Sequence, residues 1–121
     1  MTELVIVRHG ETELNTQGVF RGRFDVALNE RGGEQAEAAA RALASPRMDA
    51  IYTSPLVRAA DTARAIAAPH GLQPIEDEAF NNIELGEWQS VPKDEVRRGY
   101  PELWRLWMED PDELRIPGGE S

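Results

Sequence analysis

The fold is decided by one stretch near the start of the chain, Leu4-Val5-Ile6-Val7-Arg8-His9-Gly10-Glu11-Thr12. Its first four residues are apolar and mostly β-branched, which predicts a strand buried on both faces of a parallel sheet. Arg8 and His9 follow this strand directly, and ligands of open α/β sheets bind outside the carboxyl ends of the strands. The stretch therefore predicts an α/β fold with a functional site at its Arg-His pair.

The rest of the chain alternates between helix and strand patterns. Residues 15–29 are polar, lack a helical period and predict a long loop. The elements predicted after it are a helix over 29–44, a strand over 49–53, a helix over 54–68, a strand over 73–76, and helices over 92–98 and 101–109. This βαβ alternation is typical of a sheet with right-handed crossovers. We interpret residues 1–121 as one domain.

Composition and charge limit the classes of protein to which the chain can belong. Its 121 residues include 22 acidic and 13 basic side chains, so the formal net charge is -9. Such acidity argues against nucleic-acid and anionic-membrane binding, which need a basic face. There is no cysteine, which excludes disulfides and cysteine metal sites. No membrane-spanning run or signal segment is present, so we expect a cytoplasmic protein.

A second chemical motif occupies residues 54–63 and again begins where a strand gives way to a helix. Because parallel strands end at the same edge of a sheet, we expect Arg58 to meet Arg8 and His9 across that edge. Guanidinium groups match the geometry of phosphate oxygens. The two motifs together predict a site for a small anion, built where arginines gather locally in an acidic chain.

These motifs resemble the histidine phosphatase superfamily, in its phosphoglycerate-mutase-like branch. The resemblance covers essentially the whole chain and is carried by Asn15 and by residues 8–12, 28–32, 54–59, 86–89 and 117–121. It implies a three-layer α/β sandwich with a mainly parallel sheet. It also implies phosphoryl transfer through a phosphohistidine on His9, with Arg8 and Arg58 clamping phosphate and with no metal or cofactor. Neighbouring arginines would favour the neutral imidazole that such an attack needs.

The long loop supplies further candidates for substrate binding. Asn15 matches a neutral phosphate donor of the family, and it is equally suited to forming a turn. The family usually has Gln before the Gly of this loop, where the chain has Arg21-Gly22. Arg21, with Arg23 nearby, either adds positive charge at the substrate entrance or is solvated. In the first case it favours a substrate with a second anionic group.

The group that protonates the leaving oxygen departs from the family pattern. The usual carboxylate position, four residues before Gly86, holds Asn82. An amide cannot deliver a proton, so Asn82 is a candidate for substrate binding only. Glu84 is the substitute acid that we predict, although strand alternation aims it away from the site. Glu11 is a weaker candidate.

The second histidine of the family is absent from the chain. The only other histidine, His70, lies in a helix-stop sequence at 68–71, where we expect a surface residue. In the family, a motif like residues 117–121 is followed by a helix and by the central strand that bears the second histidine. We therefore expect an incomplete domain that lacks its C-terminal strand and helix elements. Its open sheet edge would favour a homodimer.

Three functions are compatible with these residues. The first is hydrolysis of a small phosphorylated metabolite by way of a phosphohistidine. The second is a non-catalytic domain that binds phosphate through its arginines but lacks the acid and the second histidine. The third is a mutase, which we rank lowest because no insertion for a bisphosphate lies between residues 77 and 107.

Overall fold

A computed structural model describes residues 1–121 and shows helices arranged around a short two-stranded sheet. The elements in chain order are α1 (Glu13–Thr16), α2 (Glu30–Ala42), β1 (Tyr52–Thr53), α3 (Val57–Ala67), β2 (Ile75–Glu76), α4 (Lys93–Gly99) and α5 (Pro101–Glu109). Single turns of 3₁₀ helix are formed by Ala68–His70, Glu78–Phe80, Gly86–Trp88 and Pro111–Glu113. None of the helices is both long and apolar enough to cross a membrane.

The two longest helices, α2 and α3, pack against each other through small side chains. At the start of α2 the side chain of Asn29 accepts a 2.8 Å hydrogen bond from the N–H of Gly32. This bond satisfies one of the free donors of the first turn. Ala36 and Ala40 are buried on α2, as is Ala63 on α3. Ala36 and Ala40 therefore lie on the buried face of α2.

The sheet consists of β1 and β2, which are parallel neighbours. Tyr52 lies opposite Ile75 and Thr53 opposite Glu76. Helix α3 connects the two strands, so the predicted βαβ unit is confirmed, although each strand has only two residues. Because α3 begins just after β1, its second residue, Arg58, lies close to the carboxyl end of the sheet.

Residues 4–7 do not form the buried strand that their apolar pattern predicts. Leu4 and Ile6 are 83% and 94% exposed, and residues 1–8 take part in no backbone–backbone hydrogen bond. A strand forms only where a neighbouring strand supplies partners for its N–H and C=O groups, and β1 pairs with β2 alone. The prediction is therefore wrong for this structure, and the apolar run lies uncovered.

The sequence predicts that His70 is a surface residue, but in the structure His70 joins the ends of the two long helices. It is half-buried in the turn that follows α3. Its Nε2 lies 2.7 Å from the carbonyl oxygen of Leu43, the residue that ends α2. The last carbonyl groups of a helix lack partners within the helix, so the ring N–H of His70 caps α2.

A second core holds the loop that follows α1. Its buried members are Phe20, Leu85, Trp88, Val96, Leu114 and Ile116. The ring centroid of Phe20 lies 5.3 Å from that of Trp88 and 5.2 Å from that of Trp107 on α5. Aromatic pairs at these separations stabilise a core beyond the area that they bury. The packing anchors the backbone at Phe20, directly before Arg21.

Candidate active site

His9 lies in the turn between the exposed N-terminal run and α1, and it is half-buried. Its Nδ1 lies 2.7 Å from the carbonyl oxygen of Gly10. A carbonyl oxygen only accepts hydrogen bonds, so Nδ1 carries the ring proton and donates it. The lone pair of the neutral ring is then on Nε2.

The surroundings of His9 also favour its neutral form. Burial lowers the pKa of His9 below its usual 6.5, because the charged ring loses solvation. The hydrogen bond to the Gly10 carbonyl acts in the opposite direction. The charges of Arg58, Arg21 and Arg8 lower the pKa further. A neutral imidazole is the form that can attack an electrophile.

The turn that carries His9 is held by both long helices. On the side of α3, the N–H of Gly10 donates a 3.1 Å hydrogen bond to Oγ1 of Thr62. On the side of α2, Gly10 and Gly32 approach so closely that a Cβ on Gly10 would overlap with the carbonyl oxygen of Gly32. Both positions therefore require glycine, and His9 is fixed relative to the helix layer.

Arg58 lies beside His9, as the two motifs predict, but part of its guanidinium group is already engaged. The residue is 1% exposed. Its Nη1 donates to the carbonyl oxygen of Phe24 at 2.6 Å, and its Nη2 donates to that of Gly22 at 2.7 Å. Arg58 thus fixes the loop that follows Arg21. Gly22 has a φ of +50°, a conformation that favours glycine.

Arg21 also lies close enough to His9 for its charge to act on the ring, but it differs from Arg58 in its hydrogen bonding. Its Nη1 is inaccessible to solvent and has no hydrogen-bond partner. Burial, and next the charge of Arg8, lower the pKa of Arg21. Burial and Arg21 likewise lower the pKa of Arg58, while the charge of Asp25 raises it. Arg8, Arg21 and Arg58 form no ion pair with any carboxylate.

An open cavity of about 510 Å³ adjoins His9. It is lined by Arg8, His9, Gly10, Glu11, Asn15, Gln35, Ala36, Ala39 and Thr62. Oδ1 of Asn15 accepts hydrogen bonds from the N–H and the hydroxyl group of Thr12, at 2.8 and 3.0 Å. Asn15 therefore shapes the turn with its oxygen, and its Nδ2 is left to donate to a ligand.

The two candidate acids, Glu11 and Glu84, and Asn82 at the usual acid position lie in different surroundings. Glu11 lines the cavity, and its Oε1 accepts a 3.1 Å hydrogen bond from Asn29. Glu84 is outside the cavity lining, and its Oε1 accepts a 3.3 Å bond from the N–H of Gly86. Asn82 is exposed, and its side chain accepts a bond from the next residue. The structure brings only Glu11 to the cavity beside His9.

Glu120 joins the loop at Arg23 to the segment that contains Glu84. Its Oε1 lies 2.8 Å from Nη2 of Arg23, and its Oε2 accepts a 2.9 Å hydrogen bond from the N–H of Glu84. Nε of Arg23 also donates to the carbonyl oxygen of Asn82. Arg23 is therefore engaged by a carboxylate and a carbonyl group, although its side chain is 39% exposed. Glu120 belongs to the 117–121 motif that carries part of the family resemblance, and this motif is the sequence feature that indicates it.

The fold and the site define the class of protein. An unprotonated ring nitrogen stands beside three guanidinium groups that lack carboxylate partners, at the carboxyl end of an α/β unit. Such an arrangement suits a phosphoryl group, whose oxygens accept hydrogen bonds from arginine. No group of three or more His, Cys, Asp or Glu side chains is arranged to hold a metal ion. The class that these features indicate is an α/β protein with a site suited to an anion such as a phosphate group.

Comparison with known families makes the assignment specific. Residues 4–121 match the Histidine phosphatase superfamily (branch 1). The chain belongs to this superfamily. Among curated relatives, phosphoserine phosphatase 1 of Hydrogenobacter thermophilus is 40% identical over 121 residues, which are 100% of this chain and 57% of that protein. A 2,3-bisphosphoglycerate-dependent phosphoglycerate mutase of Parvibaculum lavamentivorans is 36% identical and is matched over 98% of this chain and 59% of its own length.

Solved structures of similar proteins confirm the α/β, phosphoglycerate-mutase-like fold. A mycobacterial glucosyl-3-phosphoglycerate phosphatase superposes with a TM-score of 0.86 at 34% identity, over 93% of this chain and 56% of that one. YhfR of Bacillus stearothermophilus superposes with a TM-score of 0.88 at 31% identity, over 93% and 56%. The chain thus spans little more than half the length of these relatives.

Proposed function

We propose that the protein hydrolyses the phosphomonoester of a small phosphorylated metabolite through a phosphohistidine on His9. The observation that carries the proposal is the hydrogen bond from Nδ1 of His9 to the Gly10 carbonyl, which leaves Nε2 unprotonated beside three arginines. Relatives named as phosphoserine phosphatase and glucosyl-3-phosphoglycerate phosphatase support a phosphomonoester as substrate.

The proposed reaction has two displacement steps. In the first, Nε2 of His9 attacks phosphorus, the N–P bond forms, and the ester P–O bond breaks as the leaving oxygen takes up a proton. In the second, water attacks the phosphohistidine, loses a proton, and releases inorganic phosphate and neutral His9. Arg8 and Arg58 stabilise the charge on the phosphoryl oxygens throughout. The free amide nitrogen of Asn15 is an additional donor to one of these oxygens.

Two carboxyl groups are candidates for protonating the leaving oxygen. Glu84 is supported by its position near that of the family's acid. Glu11 is supported by its place in the cavity lining with His9. We favour Glu11 on these grounds, and the role of Glu84 stays a prediction. A substrate-binding role for Asn82 also stays a prediction, since its side chain lies outside that lining.

The proposal is tested by replacing His9 and trapping the intermediate. We expect rapid quenching of the wild-type protein with p-nitrophenyl phosphate to yield an acid-labile, alkali-stable phosphoprotein, and His9→Ala to yield none. Turnover of that substrate should fall by roughly 10³-fold or more, as for loss of other nucleophiles. His70→Ala is the matched control, because it removes the other histidine, which bonds to Leu43. Unchanged turnover in His9→Ala would contradict the proposal.

Two other functions remain as alternatives with distinct outcomes. Because Asn82 occupies the acid position, a non-catalytic phosphate-binding protein is the second candidate. It predicts phosphate binding with no turnover of an activated aryl phosphate. A mutase, which the Parvibaculum relative brings into consideration, predicts an isomeric phosphate ester as product, whereas a hydrolase releases inorganic phosphate.

A further inference from the structure

The position of the ring proton of His9 depends on one peptide group, which joins Gly10 to Glu11. The carbonyl oxygen of this group belongs to Gly10 and lies 2.7 Å from Nδ1 of His9. The tautomer of a neutral histidine is set by the hydrogen bond that one of its ring nitrogens makes. If this carbonyl group turned away, the ring would also adopt the tautomer with its proton on Nε2. That proton would block the nitrogen that is proposed to attack phosphorus.

Gln35 on α2 holds the other end of the same peptide group. Its Oε1 accepts a 2.9 Å hydrogen bond from the N–H of Glu11. In a planar trans peptide the N–H and the C=O point in opposite directions. The bond that holds the N–H of Glu11 toward α2 therefore aims the carbonyl oxygen of Gly10 away from α2 and toward the ring of His9.

The peptide groups on either side are anchored by other contacts. Before it, the N–H of Gly10 donates a 3.1 Å bond to Oγ1 of the buried Thr62. After it, the carbonyl oxygen of Glu11 accepts a 3.0 Å bond from the N–H of Asn29. Gly10 has no side chain that would restrict the rotation of its backbone. The bond to Gln35 is therefore the restraint on the peptide group between these anchors.

Gln35 is also separate from the packing of the two long helices. It is exposed, whereas Ala36 and Ala40 lie on the buried face of α2. Its side chain is uncharged, unlike the arginines that act on His9. Its replacement therefore removes one hydrogen bond from the His9 turn and leaves both the helix layer and the charges of the site in place.

We propose that Gln35 is a positioning residue, which orients the peptide group between Gly10 and Glu11 and thereby keeps the ring proton of His9 on Nδ1. The inference rests on the proposed function, in which Nε2 of His9 attacks phosphorus. Gln35 acts through the backbone of the His9 turn, and the arginines hold the phosphoryl group.

The tautomer of His9 can be measured by nuclear magnetic resonance, because long-range proton–nitrogen correlations distinguish protonated from unprotonated ring nitrogens. At pH 8 the ring is neutral, since the pKa of His9 lies below 6.5. We expect the wild-type ring to carry its proton on Nδ1. We expect Gln35→Leu to shift the ratio of the two tautomers toward the Nε2 form by about 2- to 10-fold, the range for one neutral hydrogen bond. Gln35→Ala should give the same shift.

Two variants and an internal reference control this measurement. Gln35→Glu retains an oxygen that can accept from the N–H of Glu11, so it should retain the tautomer of the wild type. Gln73→Leu makes the same change at another exposed glutamine and should have no effect. The ring of His70 is the reference, because its Nε2 faces the carbonyl oxygen of Leu43. It carries its proton on the opposite nitrogen and should keep it there in every variant.

A kinetic measurement tests whether the tautomer controls the attack. At saturating p-nitrophenyl phosphate, the rate of phosphoprotein formation in Gln35→Leu should fall in proportion to the fraction of His9 that keeps its proton on Nδ1. Calorimetry should show an unaltered affinity for inorganic phosphate, because Arg8 and Arg58 are intact. A weaker affinity for phosphate with an unaltered tautomer would overturn the inference, since Gln35 would then bind the ligand itself.

The ring spectra keep the inference apart from the proposed reaction, because they require no turnover. The same His9 tautomer in Gln35→Leu, Gln73→Leu and the wild type would overturn the inference whether or not the protein is a phosphatase. Absence of a phosphoprotein in the wild type would contradict the proposed function alone, and a tautomer shift confined to Gln35→Leu and Gln35→Ala would still support the positioning role.

Discussion

At His9, burial and arginine charge both favour loss of the proton that would block attack. Burial makes the largest contribution, and the charges of Arg58, Arg21 and Arg8 add to it, against the opposing effect of the hydrogen bond that His9 donates to the Gly10 carbonyl. As the pH falls through the pKa of His9, the neutral fraction falls and with it the rate of attack. Since that pKa lies below 6.5, the reaction should persist in weakly acidic solution.

This effect predicts a change in the pH profile when one arginine charge is removed. In Arg21→Gln the pKa of His9 rises toward its usual value, so the acid limb of kcat/KM should move to higher pH. The measurement is kcat/KM for p-nitrophenyl phosphate between pH 4 and 8. Titration of the substrate, with a second pKa of about 6 for phosphate esters, is common to both proteins and cancels in their ratio. Arg47→Gln is the control, and coincident profiles for Arg21→Gln and the wild type would contradict the prediction.

Individual residues show how far the site can be predicted from sequence. The sequence predicts the proximity of Arg58 to His9 from a topology in which both follow strands of one sheet, and the two residues are close although residues 4–7 form no strand. The hydrogen bonds that Arg58 donates to the carbonyl oxygens of Gly22 and Phe24 do not follow from the topology. They depend on the path of an irregular loop, which no local pattern specifies. The contacts of Glu120 depend on the same loop.

At the scale of elements, the close approach of α2 to the His9 turn predicts unequal effects of two neighbouring substitutions. A Cβ on Gly32 would overlap with the carbonyl oxygen of Glu11, whereas a Cβ on Gly33 would meet nothing within 4 Å. Gly32→Ala should therefore lower the free energy of unfolding by about 1–3 kcal/mol through overpacking. Gly33→Ala should raise it by about 0.5–1 kcal/mol through its helix propensity.

Urea denaturation followed by circular dichroism measures both effects. Gly33→Ala is a matched control, because it makes the same chemical change one residue along the same helix. The expected order of midpoints is Gly33→Ala, then wild type, then Gly32→Ala. Equal midpoints for the two variants would mean that the turn and α2 do not approach as the structure shows.

Helices and strands also differ in how well the sequence predicts them. The prediction for α5, 101–109, coincides with the observed helix, and α2 begins within one residue of its predicted start. A helix satisfies its backbone hydrogen bonds internally, so local sequence contains most of the information. A strand depends on a partner elsewhere in the chain. Residues 4–7 have the composition of a buried strand and lack that partner.

Over the whole molecule, most surface arginines are balanced by acidic side chains and those of the candidate site are not. Arginines paired with carboxylates are Arg23, Arg31, Arg47, Arg64, Arg97 and Arg105. The net charge of -9 therefore surrounds one uncompensated cluster at His9. A small anion finds a favourable potential only at such a cluster. This distribution is compatible with the small phosphorylated substrate that we propose.

The uncovered run at residues 4–7 predicts the association behaviour of the 121-residue chain. An extended apolar segment with free N–H and C=O groups is a template for pairing with another chain. We expect sedimentation velocity to show concentration-dependent self-association, consistent with the predicted homodimer, and Ile6→Lys to weaken it by placing a charge in the paired segment. Met108→Lys is the control, since Met108 is an apolar residue on α5 that is 65% exposed. A chain that stays monomeric at every concentration, or an equal effect of the two lysine variants, would show that residues 4–7 do not mediate association.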